Sequence, residues 1–558
     1  MKYKPLLLFL AVVFLLSVGL LFGYTLIHAQ DGTQPEISGG SSNTAFTYQG
    51  QLFDGDVPAN GDYLFQFSLY DDPTAGIRIG NVLQRTITVE NGLFTTVLDF
   101  TWGMFSGRGR YLNIEVKQVG GPSFTTLSPR QELTEVPFAL HAVYATKADS
   151  PANVVQVAKS NGDYAAVSAA LASITDASKD NPYVIRIAPG VYSEYIDLKP
   201  YIDLEGSGEG VTILRGFGGD IDPGAGDCSS ATLRAEGIIA PEVRHLTVES
   251  DGTGSAVAVA ICTEDTGKHL RLTHISAIAS GGFNNKGIYI EYSSPILNNV
   301  TVNTSEAENI TIGIDIVESL PTMNDIAAVT LGGNFNYGIY NSYSSPQMVN
   351  ITAFASNGNQ NRGISNVQSS PTMEKITADA LNGNDNIGIY NNLSQPTMQN
   401  VTARGIDELG GLTNNIGIKN VSSTPTMSNV TAYGSGGLNS YGIANENSAP
   451  KMINVTCGGS GGINFNRGIY NNDSVPTLDN VYAFASGGAG GIGVLSEGTS
   501  TLTIQDSTLQ GSDAISNGGG SSAMIANTQL DGSVTVGGGL TCVGTYDHAF
   551  AALDTTCQ

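Results

Sequence analysis

The feature that most constrains this chain is a repeat of about 25 residues that runs from Pro295 to Val494. Eight prolines recur at spacings of 26, 25, 25, 25, 29, 25 and 26 residues, and eight Gly-Ile pairs recur in phase with them. The prolines are Pro295, Pro321, Pro346, Pro371, Pro396, Pro425, Pro450 and Pro476, and the glycines are Gly287, Gly313, Gly338, Gly363, Gly388, Gly417, Gly442 and Gly468. A fixed period of this size indicates one supersecondary unit per repeat, which buries its apolar face by stacking on its neighbours.

Between the prolines, apolar and polar residues alternate with a period of two, which is typical of β-strands. Met or Leu stands two residues after each proline, Val or Ile stands five residues after it, and the seventh place is usually Ala. The sixth place is usually Thr. A helical repeat needs roughly ten unbroken residues of 3.6-residue periodicity, which no repeat offers, and the leucines of a leucine-rich repeat are missing.

Two columns of asparagine indicate how the strands stack. The first stands four residues after the prolines (Asn299, Asn350, Asn400, Asn429, Asn454, Asn480), and the second three residues after the glycines (Asn341, Asn366, Asn391, Asn420, Asn445, Asn471). Amides stacked at the strand spacing of roughly 4.8 Å hydrogen-bond along a ladder, and Asn tolerates turn conformations. We therefore predict an all-β fold, a right-handed parallel β-helix with about one turn per repeat.

The first residues of the chain have the order of an export signal. Lys2 and Lys4 precede an apolar run that ends near Ile27, and small residues follow up to Ala29. Cleavage after Ala29 is expected, although the run is also long enough for an uncleaved membrane anchor. The predicted localisation is secreted or cell-surface, with the membrane reached through this segment alone.

Composition shifts divide the rest of the chain. We predict a signal peptide or anchor at 1–29, a polar linker at 30–45, a small antiparallel β-sandwich at 46–137, a connector at 138–153, the β-helix at 154–541 with its clearest repeats at 287–494, and a C-terminal disulfide cap at 542–558. Short alternating runs separated by turns predict the sandwich. The sequences at 46–52, 127–134 and 137–140 resemble an accessory module found ahead of bacterial surface and fibre-like domains, which implies no chemistry.

Residues 163–214 lie near the start of the predicted β-helix. Asp163 is expected to cap a helix whose apolar face would close the open end of the solenoid. That face would carry Tyr164, Val167, Ala170, Leu171 and Ile174. The sequences V-I-R-I-A-P-G-V-Y-S-E at 184–194 and G-S-G-E-G-V-T-I-L at 206–214 follow. This order resembles the opening of the pectinesterase family within the pectin-lyase-like superfamily, which implies a parallel β-helix with an N-terminal lid helix.

The motifs that carry the activity of that family are poorly matched. S-A-V-A-V at 255–259 resembles its Q-A-V-A-L motif, but Ser255 replaces a glutamine that would stabilise an oxyanion. The aspartate of its Q-D-T-L motif has no counterpart one turn later, and its L-G-R-P-W motif is absent. G-I-D-I at 313–316 resembles its D-F-I-F-G motif, but Asp315 stands in an ordinary outward column of the repeat. The resemblance therefore implies the fold rather than the activity.

Charge and cysteine content restrict the partners and the compartment. The formal net charge is −25 and 13% of residues are charged. We do not expect nucleic acid as a partner, because phosphate binding needs clustered Lys and Arg. Polyanionic polysaccharide is disfavoured unless a cation bridges it. Cys457 falls in the Ala column and is expected to be a buried thiol, and the other four cysteines are expected to pair in an oxidising compartment as Cys228 with Cys262 and Cys542 with Cys557.

Three sets of residues are candidate sites, and each has a structural alternative. The candidates are Asp315, Asp407 and Glu408 for catalysis, Asp220, Asp222 and Asp227 for calcium, and Tyr289, Tyr340, Tyr390 and Tyr470 for a ligand face. The pair 407–408 stands in the insertion of the 29-residue repeat and also fits a solvated loop. The oxygen ligands at 220–227 are spaced for calcium but also fit a turn-rich loop. The tyrosines could stack sugars, or they reflect the strand propensity of Tyr.

We predict a non-catalytic secreted or cell-surface protein of bacterial type that binds glycan or serves a structural, adhesive role. Calcium is the one cofactor considered, and an extracellular polysaccharide or cell-surface glycan is the expected partner. The alternative is a carbohydrate-active enzyme, a pectinesterase, polysaccharide lyase or glycoside hydrolase with a divergent site. Paired acids or a basic residue over a bound cation would favour this alternative.

Overall fold

A computed structural model of the chain describes residues 46–133 and 153–558, except 56, 71, 75, 77, 99, 101–109, 218–226, 240, 268–269, 410, 412–413 and 488–489. The predicted signal or anchor, the polar linker and nearly all of the connector lie outside these residues. Within the described parts, no helix is both long and apolar enough to cross a membrane. The chain divides into two compact units, residues 1–150 and 151–558.

The first unit consists of small antiparallel sheets around an aromatic and aliphatic core, as predicted. Its strands are β1 (Phe46–Gln51), β2 (Phe53–Asp54), β3 (Val57–Pro58), β4 (Gly61–Tyr70), β5 (Arg78–Val89), β6 (Leu93–Leu98), β7 (Arg110–Gln118) and β8 (Thr125–Leu133). One sheet has the order β5-β4-β7-β8, β1 pairs with β6, and β2 pairs with β3. Alternate residues of β4, Phe65, Phe67 and Leu69, are fully buried and form the centre of this core.

The second unit is a parallel β-helix of about 13 turns, which confirms the predicted fold class. It opens with β9 (Asn153–Val157), α1 (Val167–Ser173), β10 (Tyr183–Ile187), β11 (Gly190–Ser193), β12 (Ile196–Asp197), β13 (Ile202–Glu205), β14 (Thr212–Phe217) and β15 (Ala231–Glu236). It closes with β35 (Gly491–Glu497), β36 (Thr501–Gln505), β37 (Thr508–Asn517), β38 (Ser522–Ala526), β39 (Gln529–Val536), β40 (Gly539–Val543) and β41 (Tyr546–Asp547).

Between these ends, each turn has one long strand and one short strand. The long strands are β16 (Glu242–Asp251), β18 (Arg271–Ser280), β20 (Ile296–Ser305), β22 (Thr322–Leu331), β24 (Gln347–Ser356), β26 (Thr372–Leu381), β28 (Thr397–Ile406), β30 (Thr426–Ser435), β32 (Lys451–Ser460) and β34 (Thr477–Ser486). The short strands are β17 (Val257–Glu264), β19 (Asn284–Glu291), β21 (Ile310–Val317), β23 (Phe335–Ser342), β25 (Gln360–Val367), β27 (Asp385–Asn392), β29 (Asn414–Val421), β31 (Asn439–Glu446) and β33 (Phe465–Asn472).

Each residue type of the repeat stacks on its equivalent in the next turn. Met348 pairs with Met373 and Met373 with Met398, and all three are at most 1% exposed. The Val or Ile column and the Ala column complete the core. Cys457 lies in the Ala column as predicted, and burial raises the pKa of its thiol. Burial of these apolar columns is the main source of stability in a stacked solenoid.

The two asparagine columns stack in different environments. The first column turns the long strands, and Asn400 adopts φ 55°, in the left-handed region that Asn tolerates. The second column lies inside the short strands and is fully buried. There, Asn391 Nδ2 donates to Asn420 Oδ1 at 2.8 Å, and Asn420 Nδ2 donates to Asn445 Oδ1 at 2.8 Å. A buried amide needs such partners, so this ladder satisfies polar groups that would otherwise oppose folding.

The lid helix α1 is present, but its predicted cap is wrong. Asp163 lies outside the helix and accepts a hydrogen bond from the Gln156 amide at 2.8 Å. The first amides of α1 instead donate to Glu194, a carboxylate from the turn after β11, at 2.8 Å each. Lys199 Nζ donates to the carbonyl of Leu171 at 2.6 Å, at the other end. Both charges complement the helix dipole, and they anchor the lid to the turns beneath it.

Two disulfides are present, Cys228–Cys262 and Cys542–Cys557, and they are the expected pairs. The second has a sequence separation of 15 residues; Cys542 lies in β40, and the loop that the disulfide closes contains β41. Both of its cysteines are 2% exposed and belong to the solenoid core. The loop therefore covers the last turn of the β-helix.

Candidate functional site

The short strands present two outward columns, which together form what we call the short-strand face. The first column is Lys286, Ile312, Tyr337, Arg362, Ile387, Ile416, Tyr441 and Arg467, and the second is Tyr289, Asp315, Tyr340, Ser365, Tyr390, Lys419, Ala444 and Tyr470. With roughly 4.8 Å between neighbouring strands, the eight turns give the face a length of about 34 Å.

The comb of glycines explains why residues three apart both point outward. In β23, Gly338 and Ile339 lie between the outward Tyr337 and Tyr340, and Ile339 is fully buried. A Cβ on Gly338 would lie 2.6 Å from the carbonyl oxygen of Gly363 in the next turn. Two consecutive inward residues break the alternation of an ordinary strand. The strand therefore bends here, and the two outward columns come into contact.

Aromatic rings and cations pack against each other across this bend. The rings of Tyr337 and Tyr340 are 5.3 Å apart, and the Arg362 guanidinium lies 3.8 Å above the Tyr390 ring. Further along, the rings of Tyr441 and Tyr470 are 5.8 Å apart. Such contacts hold the side chains in place at little cost in entropy when a ligand binds.

The hydroxyls of four tyrosines on this face have a raised pKa. Burial is the main cause that raises the pKa of Tyr337, Tyr340 and Tyr441. Burial also raises the pKa of Tyr470, and its hydrogen bond to Glu497, at 3.0 Å, adds to the effect. At neutral pH these groups are therefore hydrogen-bond donors as well as apolar surfaces.

The predicted ligand tyrosines are not equivalent. Tyr340, Tyr390 and Tyr470 are half-buried on the short-strand face. Tyr289 is only 7% exposed and belongs to a cluster that contains the Cys228–Cys262 disulfide, so its ring is not available to a large ligand. Tyr289, at one end of the tyrosine column, therefore contributes to packing and not to a ligand site.

Asp315 is the one predicted catalytic residue that lies on this face. It is 5% exposed, and its Oδ2 lies 2.8 Å from Lys286 Nζ. Its Oδ1 is buried and has no hydrogen-bond partner among the described residues. A buried carboxylate oxygen without a donor is uncommon in folded proteins.

Asp407 and Glu408 are not part of this arrangement. Asp407 is 7% exposed, and its two carboxylate oxygens accept the amides of Leu409 and Gly411 at 2.9 and 2.7 Å. It therefore holds the inserted loop in shape. Glu408 is exposed, and its amide donates to Asn382 Oδ1 at 3.2 Å. The structure brings neither carboxylate into contact with Asp315, which favours the loop interpretation of the insertion.

The calcium prediction stays a prediction. Asp220 and Asp222 lie outside the described residues, and Asp227 begins a short 3-10 helix, Asp227–Ser230, that contains Cys228. Within the described ranges, no three His, Cys, Asp or Glu side chains are grouped so that they could hold a metal ion.

Sequence reasoning missed the first outward column. Tyr337, Arg362 and Tyr441 stand directly before the glycine of the Gly-Ile comb, so the repeat already marked their position. The alternation of a straight strand assigns the residue before the glycine and the residue two places later to the same face. The contact between the two columns depends on the bend, which a period-two pattern does not contain.

Comparison with known proteins adds little beyond the fold. A family described as a domain of unknown function (DUF8740) matches residues 47–130, in the first unit. Among curated proteins, none matches the chain. Three of the similar solved structures are the A-module of the mannuronan C-5 epimerase AlgE6 of Azotobacter vinelandii, a pectin methylesterase of Yersinia enterocolitica and tailspike protein 3 of bacteriophage CBA120.

The similarity to these structures is distant. The epimerase module is 14% identical, with 68% of this chain and 93% of that chain covered and a TM-score of 0.33. The esterase is 12% identical, with 51% of this chain and 90% of that chain covered and a TM-score of 0.26. The tailspike is 9% identical, with 75% of this chain and 70% of that chain covered and a TM-score of 0.31. Similarity at this level says nothing about what the chain binds or catalyses.

Proposed function

We propose that this protein is a non-catalytic, exported β-helix protein that binds an extended extracellular glycan along its short-strand face. The observation that supports this proposal most is the row of half-buried tyrosines from Tyr337 to Tyr470, with the guanidinium of Arg362, which extends over six turns, about 24 Å, of a rigid sheet. Aromatic faces stack on the C–H faces of sugar rings, and preorganised side chains lose little entropy on binding. A linear polymer matches the length of this face.

The charges on the face suggest how specificity arises. Arg362 has no ion pair among the described residues, and its guanidinium donates weakly to Ser365 Oγ at 3.4 Å. Lys286 and Lys419 are paired, with Asp315 at 2.8 Å and Glu446 at 2.9 Å. Arg362 therefore offers donors to ligand oxygens that the paired lysines do not.

Affinity electrophoresis on a panel of extracellular polysaccharides tests the proposal, with variants taken from neighbouring turns. Tyr390→Ser introduces the residue that the neighbouring turn has at the equivalent position, Ser365. Arg362→Ile likewise introduces the residue at the equivalent Ile387, so both substitutions fit their columns. We expect each to weaken retention by about two- to tenfold, because a ring contact contributes roughly 0.5–1.5 kcal/mol.

Tyr343→Gln is the matched control. Tyr343 is 59% exposed in the turn after β23, and Gln368 has the same left-handed conformation one turn later. This variant removes an exposed tyrosine away from the short-strand face and should bind like the unmodified protein. Absence of retention on every polysaccharide, or equal retention by Tyr390→Ser and the unmodified protein, would contradict the proposal.

An enzyme with a divergent site is the second candidate function, and the orphaned Oδ1 of Asp315 favours it. Hydrolysis of glycosides needs two carboxyl groups, and the partner of Asp315 is a lysine. The same panel should therefore be assayed for methanol release, new reducing ends and unsaturated products, with and without calcium. Turnover that disappears in Asp315→Asn would replace the binding function with catalysis.

A further inference from the structure

A depression lies on the long strands, in adjacent turns where two columns of the repeat are broken. It has a volume of about 230 Å3 and is lined by Asn454, Thr456, Asn480, Tyr482, Asp506 and Thr508, with two valines beneath. Tyr482 replaces the usual Thr of its column, between Thr456 and Thr508. Asp506 replaces the usual Asn of the left-handed column, with φ 50°. Neither change is needed for the stacking of the turns.

The aspartate ends a ladder of amides and leaves oxygen acceptors without donors. In the two turns before it, Asn454 donates to Asn429 at 3.1 Å and Asn480 donates to Asn454 at 2.8 Å. Asp506 has no side-chain amide to donate, so Asn480 Oδ1 receives no hydrogen bond in the described structure. The carboxylate of Asp506 likewise has no hydrogen-bond or ion-pair partner there. This edge of the depression therefore accepts hydrogen bonds and offers a ligand few donors.

Tyr482 forms an aromatic wall beside these acceptors. Its ring is 38% exposed, and it is held in place by a stacked contact with Phe484, with centroids 5.3 Å apart, and by a hydrogen bond to Gln510. Phe484 in turn covers Gly458, where a Cβ would lie 2.2 Å from the Phe484 ring. The hydroxyls of Thr456 and Thr508 have no hydrogen-bond partner in the described residues. The wall is thus rigid, and its surroundings are polar.

We infer that this depression binds one neutral, hydroxyl-bearing sugar ring. Asn480 and Asp506 are exposed, so their acceptor oxygens are open to the hydroxyls of a pyranose, whose C–H face stacks on Tyr482. An anionic sugar would meet the carboxylate of Asp506, and no Lys or Arg is among the described residues that line the depression. A bare metal ion would leave the aromatic wall unused. The site lies on the long strands and is independent of the function proposed for the short-strand face.

Saturation-transfer NMR titrations with methyl glycosides of glucose, galactose and mannose test this inference, with galacturonate as the charged counterpart and calcium chloride alone as a further probe. Tyr482→Thr and Asp506→Asn restore the common residue of each column, so both variants should fold. We expect saturable binding of at least one neutral glycoside, weakened about tenfold by each variant. Tyr343→Gln, which removes an exposed tyrosine away from both surfaces, should leave it unchanged.

Several outcomes would overturn the inference. These are the absence of saturable binding by all three glycosides, equal binding by Tyr482→Thr and the unmodified protein, and tighter binding of galacturonate than of the neutral sugars. Binding of calcium that Asp506→Asn abolishes, without binding of glycosides, would also overturn it by identifying an ion site. Loss of polysaccharide retention in Tyr390→Ser bears on the proposed function alone, so the two proposals fail separately.

Discussion

Replacement of one asparagine in the buried ladder should cost far more in the middle of the ladder than at its end. Asn420 is fully buried, accepts a hydrogen bond from Asn391 at 2.8 Å and donates one to Asn445 at 2.8 Å. Asn420→Ile leaves a buried donor and a buried acceptor unpaired. Each costs roughly 1–3 kcal/mol, so the free energy of unfolding should fall by about 2–6 kcal/mol.

Asn341 provides the matched control at the end of the same ladder. Its Nδ2 donates to Asn366 Oδ1 at 2.7 Å, but its own Oδ1 is buried without a partner. In the preceding turn the column holds Ile316, so isoleucine fits the site. Asn341→Ile leaves one acceptor unpaired and removes another, so the two terms of roughly 1–3 kcal/mol offset each other and stability should change little.

Urea unfolding followed by far-ultraviolet circular dichroism measures both variants. The dependence of the unfolding free energy on urea concentration should be the same in all three proteins, since each exposes the same surface on unfolding. A different slope would indicate that the solenoid unfolds in parts. Equal losses in Asn420→Ile and Asn341→Ile would refute the reasoning, since volume and polarity change identically in both and only the hydrogen-bond count differs.

Three further predictions concern the ends of the solenoid and its ionisable groups. Glu194→Ala should speed hydrogen exchange of the first amides of α1 and lower the free energy of unfolding by about 1 kcal/mol, because the helix loses its cap. The double replacement of Cys542 and Cys557 by Ala should lower stability by about 3 kcal/mol, the value for a loop of this length, measured as a lower midpoint of thermal unfolding. Burial and Glu497 raise the pKa of Tyr470 in the folded state. The contribution of this hydroxyl to the free energy of unfolding is therefore complete below its unfolded pKa of about 10, and it is lost as the pH rises through its folded pKa. Urea midpoints measured from about pH 9 to 11 should fall less in Tyr470→Leu than in the unmodified protein.

The sequence determined the architecture because each turn of a solenoid is specified by one short repeat and contacts only the neighbouring turns. The combs of Pro and Gly-Ile set the period, and the apolar columns set the inward face. Asn400 and its equivalents set the turn within each long strand. These contacts join residues one repeat apart, so a column in the sequence is a column in space. The lid helix, the cysteine pairs and the small antiparallel sheets also followed from local patterns.

Tertiary structure decided the sites, because a site depends on how neighbouring columns meet. The bend at the glycine comb brings Arg362 to Tyr390, and the Cys228–Cys262 cluster buries Tyr289. The same holds for the cap of α1, where the nearby Asp163 was expected and Glu194 from a later turn supplies the carboxylate. Alternation along one strand states which residues point outward. Which of them touch, and which stay open to a ligand, is fixed by the curvature of the strands and by segments from other turns.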